Sequence, residues 1–289
     1  MGSARSQDPD LFNRLQGNTQ RGVDFWNVDG IQITTQTSDL SFSEKTIIKT
    51  FGRYGIQEKD LTGKDDSLPF TNRYVLKTED IDSIFRQYTA YYFIENQQRT
   101  LTTVTFVSIN KTARAFERSF VSLVHDQALP RDHFPPLKLD SLNFAGRKFV
   151  VGSSCRWMGV NNVQCPGNGQ MSWSIHADSA DAEIASDAQF AANKKQKGIR
   201  LISTEQLPIG FEGHSVTVRK AIFDFKGVKG LLVGMSGGKT LTVYYVAAPV
   251  RGHFVSSTLS YWDIDSLTPD GLPMLLEQVM TLHPLAPGP

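Results

Sequence analysis

The chain lacks charge bias, long apolar runs and all but two cysteines, and each shortage removes a class of function. Its 30 lysines and arginines stand against 29 aspartates and glutamates, a formal charge of +1, whereas a nucleic-acid binder carries a basic face or stripe. No nucleic-acid partner is expected. The densest basic cluster, Lys194, Lys195 and Lys197, closes a helical pattern, where positive charge complements the helix dipole. No run of about eighteen apolar residues occurs, so no membrane-spanning helix is expected. Two cysteines and six scattered histidines do not make the four-ligand spacing of a structural zinc site. Neither a metal nor a cofactor is expected. His125 and His133, with Asp126 and Asp132 between them, come nearest to a ligand cluster, but solvated side chains at a helix end need no ion.

What the chain does have is concentrated between Gly152 and Ala177, GSSCRWMGVNNVQCPGNGQMSWSIHA. Both cysteines and two of the four tryptophans lie there. Cys155 and Cys165 are close enough in sequence to form a bridge, which would stabilise the fold by about 3 kcal/mol by restricting the unfolded chain. The bridge is expected to set Arg156, Trp157, Asn161, Asn162 and Gln164 on a rigid omega-like loop available for binding. The competing expectation is a structural staple with Trp157 packed beneath it. A disulfide favours an oxidising compartment. Met1, Gly2 and Ser3 resemble a cloning remnant, so an extracytoplasmic protein (periplasmic, cell-surface or secreted) with its signal peptide removed is expected.

Taken in order, residues 1–20 are polar and read as a flexible N-terminal segment. A first α+β domain is expected over 21–129. Asp29-Gly30 marks a turn beside the alternating run Ile31, Ile33 and Thr35. Ser41 and Glu44 read as a capping box before Ile47, Ile48, Phe51 and Tyr54 at helical spacing. Residues 57–70 read as a loop, followed by strands RYVLKT, FRQYTAYYFIEN and RTLTTVTFVSIN, with Asn96 to Arg99 as a hairpin turn. Phe116, Phe120, Leu123 and Val124 then form a helical stripe.

Prolines 130, 135 and 136 make 130–138 a linker, and a second α+β domain is expected over 139–283. It opens with a strand at 147–152. MSWSIHA puts Met171, Trp173 and Ile175 on one strand face. Asp178 starts a helix with Ile184, Ala185, Ala188, Ala191 and Ala192 inward. Strands follow at IRLIST, HSVTVRKAIFDFKG, KGLLVGM, KTLTVYYVAA and GHFVSSTLSYWDI. Leu272, Leu275, Leu276, Val279 and Leu282 predict a last helix, and 284–289 a disordered tail. Both halves read β, α, several antiparallel β, α: two similar domains, each a curved, mainly antiparallel sheet on two helices, related by internal duplication. That order of elements resembles PsbP-like folds, a likeness of topology that implies no activity.

Motifs that suggest chemistry fail on context. Gly234-Met235-Ser236-Gly237-Gly238 matches a G-x-S-x-G elbow, and Gly238-Lys239-Thr240 resembles a phosphate loop. Each needs a following helix, whereas Lys239 begins a β pattern. Asp80 with Asp82 and Asp263 with Asp265 could act as acid–base pairs, but they fit turn positions. Arg251, His253, Tyr261, Trp262 and Asp263 could join the cysteine loop to make a polar and aromatic surface. The expected function is a non-enzymatic binding or interaction protein whose second domain meets a partner protein or small ligand through Arg156, Trp157, Asn161, Asn162, Gln164, Arg251, Trp262 and Asp263. The alternative is a hydrolase with a spatially assembled site, for which Asp263, His253, His176 and Ser236 are the first suspects.

Overall fold

The computed structural model of the chain describes residues 14–20, 22–129, 139–225 and 238–284. Two compact units comprise residues 1–135 and 136–289. Both are sheet-rich, every strand pairing in them is antiparallel, and the helices are few.

The first unit holds β1 (Gln16–Gln20), β2 (Val23–Val28), β3 (Ile31–Ser41), helix α1 (Glu44–Phe51), β4 (Asn72–Asp80), β5 (Arg86–Glu95), β6 (Thr100–Ile109) and α2 (Arg114–His125). Its six strands lie in the order β1-β2-β3-β6-β5-β4. The β2–β3 turn falls on Asp29 and Gly30, both at positive φ (47° and 76°), the conformation that Asp-Gly accepts in a tight hairpin. Alternation along β5 divides the core. Ala90, Tyr92 and Ile94 face Phe116, Phe120 and Val121 of α2, while Tyr91 and Phe93 face Ile47 of α1. The two helices therefore cover opposite faces of the sheet.

Three local expectations for this unit change. Residues 16–20 are a strand rather than a free segment: backbone bonds to β2 fix them, Leu15 is buried, and Arg14 pairs with Asp29 at 2.7 Å. Their side chains are polar, so no hydrophobic alternation announced them. The helix cap is Ser43, which accepts the Thr46 N–H at 3.1 Å, because Ser41 is taken into β3 opposite Thr100. Residues Glu58–Thr62 of the expected loop wind into a 3-10 helix.

The second unit holds β7 (Ser141–Phe144), β8 (Arg147–Val150), β9 (Arg156–Gly159), β10 (Asn162–Gln164), β11 (Gln170–His176), α3 (Ser179–Lys195), β12 (Ile199–Phe211), β13 (His214–Phe225), β14 (Thr240–Val250), β15 (His253–Trp262), α4 (Met274–Glu277) and β16 (Met280–Thr281). β7 and β8 form a separate hairpin, and the others order as β16-β12-β13-β14-β15-β11-β10-β9. In both units a three-stranded meander leads into a helix. A second meander then returns, its last strand pairing with the strand before that helix, β6 on β3 and β15 on β11.

α3 covers one face of this sheet and α4, with β7–β8, the other. Phe190 of α3 packs with Phe223, Val243 and Tyr245, whereas Leu275 and Leu276 join Met171, Trp173 and Tyr244. As expected, Asp178 caps α3 by accepting the Asp181 N–H at 2.8 Å. The expected inward face is met in part: Ala188 is buried and Ala185, Ala191 and Ala192 are half-buried, but Ile184 is exposed, and Ala182 and Ser186 are buried in its place. On the same side of the helix the Phe190 ring seats edge-on against Tyr245, centroids 5.4 Å apart. The final helix is one turn long. After it the chain extends as β16 and pairs with Gly210 and Phe211, since the open edge of β12 offers backbone partners that a longer helix would leave unused. The expected linker 130–138, the strand KGLLVGM, Ser236 with the rest of its elbow up to Gly237, His133, Asp132 and the tail 285–289 lie outside the described residues.

Candidate functional site

Cys155 and Cys165 are bonded and buried. The residues between them make a hairpin, β9–β10, in place of an omega loop. Alternation explains this: Trp157 and Val163 are register partners that turn to the core, and Asn161 takes φ of 47° in the two-residue turn, a conformation Asn tolerates well.

That alternation splits the predicted binding residues between two faces. Trp157 packs against the core beside Trp173, ring centroids 6.2 Å apart, so it is the packed staple and not an exposed contact. Asn161 is also buried, and its carbonyl accepts the Trp173 N–H at 2.9 Å. Arg156, Asn162 and Gln164 lie on the opposite, α3 side of the sheet, and register carries their rows onward. One row runs Arg156, Gln164, Gln170, Ser260; the next runs Asn162, Ser172, Thr258. Within them the Arg156 guanidinium donates to Gln164 Oε1 at 3.0 Å, and Gln170 Nε2–H donates to Asn162 Oδ1 at 2.9 Å. Each contact fixes a long side chain while using part of its bonding capacity. Gln170 has the parity of Ser172 and Ser174 in the strand pattern; extending MSWSIHA back by one residue would have found it.

Trp262 ends β15 on this face, opposite Leu241, and leans on Phe225 with centroids 5.0 Å apart. The loop after it is built by carboxylates. Asp263 accepts the Lys239 N–H at 2.8 Å, and Asp265 accepts the Trp262 N–H at 3.0 Å. Burial pushes the Asp265 carboxyl up, against the lowering effect of its backbone hydrogen bonds. Gln164, Gln170, Ser260, Trp262 and Asp265 border a cavity of about 40 Å³, far below the volume of a small-molecule pocket. The face is an open surface.

Arg251 does not belong to it. β15 has 10 residues, and at about 3.3 Å each Arg251 and His253 lie at the far end from Asp263. There Arg251 donates to the Phe144 carbonyl at 2.6 Å and the Ala145 carbonyl at 2.8 Å, and to Glu212. Arg147 donates to the same carboxylate at 2.6 Å. Glu212 is buried between them, and the three tie the β7–β8 hairpin to the β12–β13 turn beside a groove of about 300 Å³. No spacing rule links residues 147, 212 and 251, so this cluster was invisible in sequence.

The hydrolase suspects separate in the same way. His253 and Asp263 sit at opposite ends of β15. His176 is buried, with Nε2 at 2.7 Å from Ser174 Oγ. Asp80 ends β4 and pairs across the strands with Arg86 at 2.6 Å, whereas Asp82 has the expected turn role, accepting the Ile84 and Phe85 N–H groups at 2.8 Å. His125 stacks on Phe70 at 4.0 Å. Among the described residues, no three His, Cys, Asp or Glu side chains cluster as metal ligands, and no helix is long and apolar enough to cross a membrane.

The first unit contains a second ionic network that sequence reading missed. Asp65 accepts from Arg114 at 2.6 Å and Arg118 at 2.9 Å, while Glu117 accepts from the Tyr92 hydroxyl at 3.0 Å. Burial tends to raise the Asp65 carboxyl, but hydrogen bonds from Arg118 and the Ser67 amide and the charges of both arginines hold it below its ordinary value. Burial, with Glu117 adjacent, pushes the Tyr92 hydroxyl well up. The network anchors residues 65–72 to α2.

Neither a protein-family model nor a curated protein matches the chain. Among solved structures, the di-domain ARO/CYC StfQ from the steffimycin biosynthetic pathway is similar at 12% identity over 92% of this chain and 77% of that one, with a TM-score of 0.18. A superposition that poor carries no argument about fold or function.

Proposed function

We propose that the second unit is a non-enzymatic binding module, and that its contact surface is the polar face of β9, β10 and β11 with Trp262 at its margin. The observation that carries this reading is the register: Arg156, Asn162, Gln164 and Gln170 share one face in two adjacent rows, held in place by their own pairing. Fixed amides and a guanidinium lose little rotamer entropy on contact and give directional hydrogen bonds, the properties a partner protein or small polar ligand requires. The buried bridge holds the hairpin rigid and favours an extracytoplasmic setting. The repeated strand path supports an origin by internal duplication, with the cysteine bridge added in one copy.

The test compares wild type with Gln164→Ala/Gln170→Ala on peptide and oligosaccharide arrays, with thermal unfolding of both. The expected result is loss of array binding by at least tenfold at an unchanged midpoint. Identical array profiles for the two proteins would overturn the reading.

A further inference from the structure

We propose that β9 is an acceptor edge for an extended segment of a partner polypeptide, which adds to the sheet as a further strand and places an acidic side chain against Arg156. This rests on the reading of the second unit as a binding module. Among the described residues the eight-stranded sheet ends at β9 on one side and at β16, laid on β12, on the other, and an edge strand turns a row of N–H and C=O groups outward. The β12 side is closed: β16 covers Gly210 and Phe211, and Arg200, Glu205 and Pro208 lie along the remainder. Charge and proline are the usual obstacles to strand addition. In the first unit, β4 carries Arg73, Lys77, Glu79 and Asp80, and its Tyr74 N–H already donates to the Gly63 carbonyl at 3.0 Å. β1 is polar throughout, QGNTQ.

β9 is different. Its sequence, RWMG, has one charge and no proline, and Met158 is 48% exposed. On its inner side β10 holds Arg156 and Trp157 in register with Gln164 and Val163, next to the Cys155–Cys165 bridge, and a bulge at Met158 precedes the Gly159–Asn162 pair, so an incoming strand meets an ordered backbone at Arg156 and Trp157 and must follow the bulge beyond them. The length of the edge selects the occupant. Four residues make about 13 Å of strand, and two copies of the chain paired there would bury much less than the ~1,200 Å² of a stable interface. A short segment suits that length. Its charge follows from Arg156, which is exposed and gives one hydrogen bond to Gln164 out of the five that a guanidinium can donate.

The test uses the full, oxidised chain and two capped eight-residue peptides of alternating Thr and Val, one with a central Glu and one with a central Lys. Backbone amide exchange at residues 156–159 is followed by NMR. The Glu peptide should slow exchange there and bind roughly two to five times tighter than the Lys peptide, the range of an exposed ion pair. Arg156→Glu should invert that order, and N-methylating alternate residues of the peptide should abolish binding without altering the protein. Equal binding of the N-methylated peptide, or no protection at 156–159, overturns strand addition. If the peptide shifts only the side-chain amides of Gln164 and Gln170, the polar-face reading stands and this proposal falls. Protection that grows with protein concentration in the absence of peptide assigns the edge to a second copy and also overturns it.

Discussion

Reducing the Cys155–Cys165 bridge tests the energetics of the candidate face directly. The bonded residues are 10 apart in sequence, and closing a loop of that size removes chain entropy from the unfolded state worth about 3 kcal/mol at 25 °C. The first unit contains no cysteine, so the loss belongs to the second, whose 154 residues (136–289) set the scale. For a domain of that size each kcal/mol shifts the midpoint by about 2–4 °C, which gives a drop of roughly 6–12 °C on reduction. Both sulfurs lie in the core with Val163, Met171 and Trp173. Cys155→Ala/Cys165→Ala should therefore fall further than the reduced wild type, by roughly 1–2 kcal/mol for the volume lost. Differential scanning calorimetry of oxidised, reduced and doubly substituted protein separates the two effects. A reduced wild type melting within about 1 °C of the oxidised protein would refute the entropic argument. Equal midpoints for reduced wild type and the Ala pair would refute the packing argument.

Two further outcomes rest on single residues. Gly169→Ala should cost roughly 2–3 kcal/mol, because φ is +95° and an added Cβ would lie 2.7 Å from Leu276 Cδ1, combining backbone strain with a clash; urea unfolding measures it, and a cost under about 0.5 kcal/mol would refute both the strain and the clash. Asp65 has a depressed carboxyl in the folded state. Its contribution is complete above the unfolded value of about 3.9 and is lost as pH falls through the lower folded value. Acid titration of unfolding should show that loss below about pH 4 in wild type, with a shallower slope in Asp65→Asn; equal slopes would assign the acid sensitivity elsewhere.

Much of the fold follows from local pattern. Asp29-Gly30 needed only its preference for positive φ to mark a hairpin. The alternation of Met171, Trp173 and Ile175 was enough to orient β11, and Phe116 with Phe120 oriented α2. Where the pattern was weak, long-range pairing decided. β1 has no apolar alternation and is a strand because β2 supplies its hydrogen bonds. The leucine spacing after Pro273 promised a helix of several turns, but the edge of β12 captured the chain as β16.

The candidate site divides along the same line. The sequence by itself determined that Cys155 and Cys165 are close enough to bridge, that Asn161 suits a tight turn, and which residues alternate along each strand, because these depend on neighbours a few positions apart. Only the tertiary structure decided that Trp157 and Asn161 turn inward, that Arg251 serves Glu212 and the 144–145 carbonyls, and that Gln170 completes the amide rows with Arg156, Asn162 and Gln164. Those outcomes follow from strand order and register. These in turn depend on hydrogen bonds between segments far apart in the chain, and no local spacing encodes them.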